Sequence, residues 1–143
     1  MKLKVKRISP DAKLPRYAHE GDAGLDLYAA EDAVIMPKER KAISTGIKIA
    51  LEKGYEAQIR PKSGLALNYG ITVLNTPGTI DAGYRGEIKV ILFNASDKPF
   101  KIEKGKKIAQ MVIKKVEYAE IEEVDELDET SRGANGFGST GLE

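Results

Sequence analysis

Ala42-Ile43-Ser44-Thr45-Gly46-Ile47-Lys48-Ile49 steps apolar side chains over polar or small ones, the two-residue period of a strand with one buried face. The same period recurs on either side. Leu3, Val5 and the run to Ile8 alternate with lysines; Leu25 and Leu27 flank Asp26; Tyr55, Ala57 and Ile59 share a face. Ile71-Thr72-Val73-Leu74 and Ile88-Lys89-Val90-Ile91-Leu92-Phe93 are β-branched runs suited to buried strands. Phe100-Lys101-Ile102 and Ile108-Ala109-Gln110-Met111-Val112-Ile113 continue the pattern. Turn signals separate these runs at Met36-Pro37, Lys53-Gly54, Thr76-Pro77-Gly78, Asp97-Lys98-Pro99 and Lys104-Gly105. Many short strands without a long amphipathic stretch predict an all-β sandwich, barrel or jelly roll. One short helical turn is expected at Ser63 to Asn68, with Ser63 as its cap.

The chain has 143 residues, enough for one domain with its own core. Hydrophobic residues make up 41% and charged residues 31%, the balance of a soluble globular chain rather than a disordered or membrane-spanning one. Twenty-three Lys and Arg face twenty-two Asp and Glu; a general grip on nucleic acid needs a more basic chain. With no cysteine and a single histidine, His19, there is no thiolate zinc site or Cys nucleophile and little basis for a His-based triad. Catalysis must therefore run on carboxylates, amides, hydroxyls and backbone groups. The opening MKLKVKRISP lacks the apolar core of a signal peptide, so a cytoplasmic protein with no membrane partner is expected.

Two charge features read as solvated surface. Lys98, Lys101, Lys104, Lys106 and Lys107 cluster at turns and strand edges. Between Glu117 and Glu129 there are eight acids and no base, which reads as an exposed strand grading into a linker. The spacing of Tyr118, Ile121, Val124 and Leu127 also fits successive helical turns.

Four segments carry more polar chemistry than turns require. In Asp22-Ala23-Gly24-Leu25-Asp26-Leu27, Asp26 is either a solvated sheet residue or a held carboxylate, the former being the commoner case. Arg60-Pro61-Lys62-Ser63-Gly64-Leu65-Ala66 puts two cations, a hydroxyl and a glycine where a helix would start, which suits either a capped turn or a phosphate seat. Residues 75–86, Asn75-Thr76-Pro77-Gly78-Thr79-Ile80-Asp81-Ala82-Gly83-Tyr84-Arg85-Gly86, should form a long rigid hairpin, with Gly83 and Gly86 permitting positive φ. Its backbone and the Asn75 amide can read a base edge, Tyr84 offers a flat face, and Asp81 is a candidate general base. In the tail, Arg132-Gly133 through Gly141, the G-x-G-x-x-G spacing of Gly136, Gly138 and Gly141 comes two residues before the chain ends and opens no helix. The tail reads as a frayed end or a lid, with Arg132, Ser139 and Thr140 available for phosphate and Phe137 for stacking.

In this order, Ala23-Gly24-Leu25-Asp26-Leu27, Pro61-Lys62-Ser63-Gly64-Leu65-Ala66, Gly78-Thr79-Ile80-Asp81 with Tyr84-Arg85-Gly86, Gly105 with Ile108-Ala109-Gln110, and Arg132 to Gly141 resemble the five motifs of the homotrimeric dUTP diphosphatase (dUTPase) family. The resemblance covers residues 23 to 141. It implies a jelly-roll-like β barrel with one short helix, divided into a β domain at 1–127 and a mobile glycine-rich arm at 128–143 that closes over a neighbouring active site. The implied reaction is hydrolysis of dUTP to dUMP and pyrophosphate, which limits uracil in DNA and supplies dUMP for dTMP synthesis. Asp81 would activate the water that attacks the α-phosphorus. Asp26, Ser63 and Gln110 would complete the catalytic set, Asp26 acting through water, Ser63 on the phosphate bridge and Gln110 on an α-phosphate oxygen. Lys62, Ser63, Gly64, Asn75, Gly78, Ile80, Asp81, Tyr84, Lys89, Arg132, Phe137, Gly138, Ser139 and Thr140 would bind substrate. Mg²⁺ would be held by the substrate phosphates with no direct protein ligand. Each site would draw on three chains, with no nucleic acid among the partners.

The same resemblance explains substrate choice. Asn75 and neighbouring backbone groups matched to uracil would leave unpaired groups against cytosine, the narrow hairpin would exclude a thymine methyl, and Tyr84 would exclude a 2′-hydroxyl. Lys62 stands where the family commonly has Arg and cannot offer a bidentate fork. Asn135 replaces a usual glycine, and Asn68-Tyr69 a commoner basic pair. A dCTP deaminase on the same fold and a non-catalytic nucleotide sensor are the alternatives; Ser63-Gly64-Leu65-Ala66 with Asp81 does not look like the deaminase, and the presence of both Asp81 and the tail speaks against the sensor.

Overall fold

The computed structural model describes residues 1–143. Its strands are β1 (Lys4–Arg7), β2 (Gly24–Tyr28), β3 (Ala33–Ile35), β4 (Arg40–Ala50) and β5 (Tyr55–Arg60), then β6 (Ile71–Val73), β7 (Gly78–Ile80), β8 (Glu87–Asn94), β9 (Phe100–Ile102) and β10 (Lys107–Lys115). The one helix, α1 (Ser63–Tyr69), joins β5 to β6. One sheet runs β1-β4-β8-β6, a second runs β2-β10-β5-β7, and β3 pairs with β9 at the side. All pairings are antiparallel. This is the all-β architecture expected from the alternation, and the jelly roll that the family resemblance implies.

The alternating positions meet between the two sheets. Ile43, Ile47, Ile49, Ile71, Val73, Ile88, Val90 and Leu92 from the first pack against Leu25, Leu27, Ala57, Ile59, Ala109 and Met111 from the second. The core is aliphatic throughout, and each fully buried Ile or Leu contributes about 1.5–3 kcal/mol. Buried Asn94 ties the margin together: its Nδ2 donates to Ile35 O at 2.9 Å and to Lys98 O at 2.7 Å. Its Oδ1 accepts from the Ser96 amide, and the Ser96 hydroxyl accepts from the Lys98 amide within the turn expected at residues 97–99.

Several local expectations are revised. Ser63 is the first helical residue rather than the cap; Lys62 is the N-cap and gives no side-chain cap bond. The Ser63 hydroxyl is therefore not consumed by the helix. Residues 75–86 are not a simple hairpin. Although β6 pairs with β8, β7 crosses to the other sheet and pairs with β5, Gly78 opposite Ile59 and Ile80 opposite Ala57. Gly83 and Gly86 do not adopt positive φ. β3 and β7, three residues each, were not among the runs read from the sequence. The acidic segment is exposed as expected but forms neither strand nor helix, since regular structure ends at Lys115.

Candidate active site

One group of candidate residues gathers on the outer face of the second sheet. Antiparallel register places Asp26 opposite Gln110, and Gln110 opposite Arg60. The chain then leaves β5 through Pro61 and Lys62 into α1, so Ser63 opens the helix beside this row. Gln110 Nε2 donates to Pro61 O at 2.9 Å, fastening β10 to the strand–helix junction. Its amide fits only because residue 24 is glycine: a Cβ there would lie 2.2 Å from Gln110 Oε1. Gly64, exposed on the first turn, has open space where its Cβ would stand, so a ligand can approach the backbone.

Asp26 is 4% exposed, and the solvated alternative is overturned. Lys62 Nζ donates to Oδ1 at 2.5 Å, and Lys107 Nζ lies 3.0 Å from Oδ2. Burial pushes the carboxyl up, but the contacts and charges of Lys62 and Lys107 outweigh it and hold Asp26 below the usual carboxylate range. Oδ2 is buried and has no partner in hydrogen-bond geometry, its nearest cation being Lys107. Sequence reasoning placed Lys107 among the solvated lysines and missed this contact.

A second group surrounds an open cleft of about 690 Å³ lined by Ile80, Asp81, Tyr84, Gly86, Glu87 and Lys89, among others. Asp81 is exposed, following β7 directly. The Tyr84 hydroxyl donates to Glu87 O at 3.0 Å, and the ring lies so close over residue 86 that a Cβ there would sit 2.3 Å from its oxygen. Gly86 is thus required by the ring rather than by its own φ. The Glu87 carboxylate accepts from the Ser44 hydroxyl and from the Gly46 amide, fixing the irregularity in β4 that borders the cleft. Glu87 and the cleft-lining Lys48 were not among the candidates; their roles come from sheet register, which composition does not reveal. Asn75 is exposed, with its amide against Gly78.

The two groups stay apart within one chain. None of Asp26, Lys62, Ser63 or Gln110 borders the Asp81 cleft. Ile80 pairs with Ala57, and Gln110 with Arg60 three residues along β5, roughly 10 Å at the strand rise. The tail candidates join neither group. Arg132 Nε donates to Asn135 O at 2.9 Å, and Phe137, Gly138, Ser139 and Thr140 are exposed.

This order of motifs on a two-sheet β fold has clear relatives. The dUTPase family profile matches residues 10–141. The chain belongs to the dUTPase family. Among dUTPases it is similar to the deoxyuridine 5'-triphosphate nucleotidohydrolase of Clostridium kluyveri, 62% identical over 141 residues and 99% of each chain. The corresponding protein of a Hydrogenobaculum species is 60% identical over 144 residues and 100% of each chain. A solved dUTPase of Staphylococcus bacteriophage 80alpha, a point mutant with dUpNHpp, superposes with TM-score 0.92 at 29% identity, covering 99% of each chain. A dUTPase mutant from phage phi11 of S. aureus, described as coordinating a structural Mg(II) ion, gives TM-score 0.84 at 25% identity over 90% of this chain and 100% of that one. In the present dUTPase-family chain no group of three or more His, Cys, Asp or Glu side chains is arranged to hold a metal. No helix is long and apolar enough to cross a membrane.

Proposed function

We propose that this chain hydrolyses dUTP to dUMP and pyrophosphate at sites shared between the subunits of a homotrimer, acting in the cytoplasmic nucleotide pool. The observation that carries the shared site is the separation just described. Asp81 and Tyr84 border a cleft that Asp26, Lys62, Ser63 and Gln110 of the same chain do not reach. A complete site then needs the Asp81 cleft of one subunit against the Ser63 loop of another, and three copies closing on a symmetry axis give three equivalent sites.

In this arrangement residues 75–80 hold the base, with the Asn75 amide and neighbouring backbone groups matched to uracil's donor and acceptors. Tyr84 packs against the sugar and leaves no room for a 2′-hydroxyl. Lys62, the free Ser63 hydroxyl, the open backbone at Gly64 and the Gln110 amide receive the phosphates, and Lys89 adds a cation at the cleft. The Asp81 carboxylate takes a proton from a water aligned on the α-phosphorus. Pyrophosphate leaves, and charge stabilisation by the cations lowers the barrier. The arm from residue 128 closes over a neighbouring site, with Phe137 stacked on the uracil and Arg132, Gly138, Ser139 and Thr140 at the outer phosphates.

Magnesium would enter with the substrate and, when bound, would neutralise phosphate charge. The residues fit that route better than a protein cage. Asp26 is buried and already paired with two ammonium groups, so neither oxygen is free to bind the ion directly, and its influence would pass through water at the edge of the pair.

Pyrophosphate release with dUTP, UTP, dTTP and dCTP, each with Mg²⁺, tests the reading. Hydrolysis of dUTP alone supports it; ammonia from dCTP would indicate a deaminase, and no turnover would indicate a sensor.

A further inference from the structure

Asp26 has more positive charge around it than one carboxylate needs. It is buried, and both Lys62 and Lys107 reach it. Their side chains remain 29% and 48% exposed, so each ammonium extends inward from solvent. Arg16 meets Asp26 through a backbone bond, and Arg60, in the next strand but one, is tied to Gln58 Oε1 at 2.6 Å. The two lysines are therefore the counter-charges.

Lys107 reaches this face through a specific irregularity. β10 pairs with β2 as Gln110 opposite Asp26 and Ala109 opposite Leu27, but then Lys107 opposite Tyr28. Ile108 is the extra residue of a bulge. In an unbroken strand, residues 107 and 110 would point to opposite faces; the bulge turns Lys107 onto the Asp26 side. Lys62 is held differently, at the start of α1 and one residue before Ser63.

We propose that Lys107 is a positioning residue that keeps Asp26 compensated, so that Lys62 can leave the carboxylate for the substrate's phosphates. The inference rests on the reading above that Lys62 meets phosphate. With Lys107 present, departure of Lys62 leaves the buried carboxylate in a one-to-one pair with an ammonium that reaches in from solvent. Without it, departure strands a buried carboxylate, which is strongly unfavourable, and Lys62 stays on Asp26. A lysine suits the moving role because its single ammonium changes partners by rotation, whereas a guanidinium fork is committed to a planar pair.

The test measures kcat, KM and dUpNHpp affinity, with melting temperature as a fold check. The variants are Lys107→Gln, Lys107→Arg, Lys62→Ala, Asp26→Asn and the double variant Asp26→Asn/Lys107→Gln. Lys107→Gln should raise KM and weaken dUpNHpp binding about tenfold, the loss of one charge-assisted contact, with a smaller change in kcat. Lys107→Arg should restore both. In the Asp26→Asn background Lys107→Gln should have no further effect, because a neutral amide needs no counter-charge; this comparison also serves if Lys107→Gln alone folds poorly. An equal penalty with and without Asp26 would mean that Lys107 touches phosphate itself and would overturn the proposal. A raised KM for Lys62→Ala beside an unchanged one for Lys107→Gln would overturn this inference alone. An unchanged KM for Lys62→Ala would overturn the phosphate reading of Lys62, and this inference with it.

Discussion

Gly86→Ala separates what the Tyr84 ring does for the fold from what it does for the substrate. The added Cβ would lie 2.3 Å from Tyr84 Oη, 2.5 Å from Cζ and 2.8 Å from Cε1, against roughly 3.5–4 Å for ordinary contact. The ring must therefore move by about 1 Å or more. It is 44% exposed and free to move outward, so the main loss is the hydroxyl's bond to Glu87 O. That bond is worth about 0.5–1.5 kcal/mol. A loss near 1 kcal/mol lowers the melting temperature by about 3 °C in a chain of this size. The effect on substrate is larger, because a 1 Å displacement of a positioning group can cost about 100-fold in rate. dUTP loses its packing surface, while UTP is relieved of a clash. Pyrophosphate release from dUTP and UTP should show the ratio of their kcat/KM values falling at least about tenfold. Tyr84→Phe, which keeps the ring and removes the hydroxyl bond, should retain the ratio. A Gly86→Ala protein with the wild-type ratio would refute the account of Tyr84 as the wall against ribose.

Asp81→Asn should abolish turnover while dUpNHpp still binds, as calorimetry would measure; near-native turnover would refute the base assignment. Removing residues 132–143 should leave the melting temperature unchanged, because regular structure ends at Lys115, but should leave little activity; full activity would end the lid assignment. Asp26 has a depressed folded pKa, so its contribution to stability is present above its unfolded value near 3.8 and is lost as pH falls through the lower folded value. Denaturation curves between pH 5 and pH 2 should therefore fall more steeply for the wild type than for Asp26→Asn below pH 3.8, and parallel curves would contradict the pairing.

The strands were legible because their core positions repeat every second residue, and Ile43, Ile47, Val90 and Met111 all lie where that period puts them. Asp26 was not legible in the same way. Its strand alternates like any half-solvated one, and what buries it comes from Lys62 and Lys107, distant in sequence. The crossing of β7 to the other sheet was hidden because Gly78-Thr79-Ile80 follows the Thr76-Pro77 turn signal and reads as part of one hairpin, whereas it pairs with β5. The β10 bulge left no comparable trace: Ile108 and Ala109 are adjacent and buried, but so are Met111 and Val112 in the regular part of the same strand. The acidic segment is exposed as its charge implied, but the helical spacing of Tyr118, Ile121, Val124 and Leu127 buries no face, since all four are exposed.

The central claim is that Asp81 of one subunit works on a substrate held by the Ser63 loop of another. Co-refolding equal amounts of Asp81→Asn and Lys62→Ala/Ser63→Ala chains, each inactive alone, tests it most directly. Random mixed trimers with shared sites would pair an intact Asp81 with an intact loop at about a quarter of sites, and dUTP hydrolysis should recover to that fraction of wild type. Activity that stays at the level of the separate inactive proteins, with mixed trimers verified by native mass spectrometry, would contradict the account.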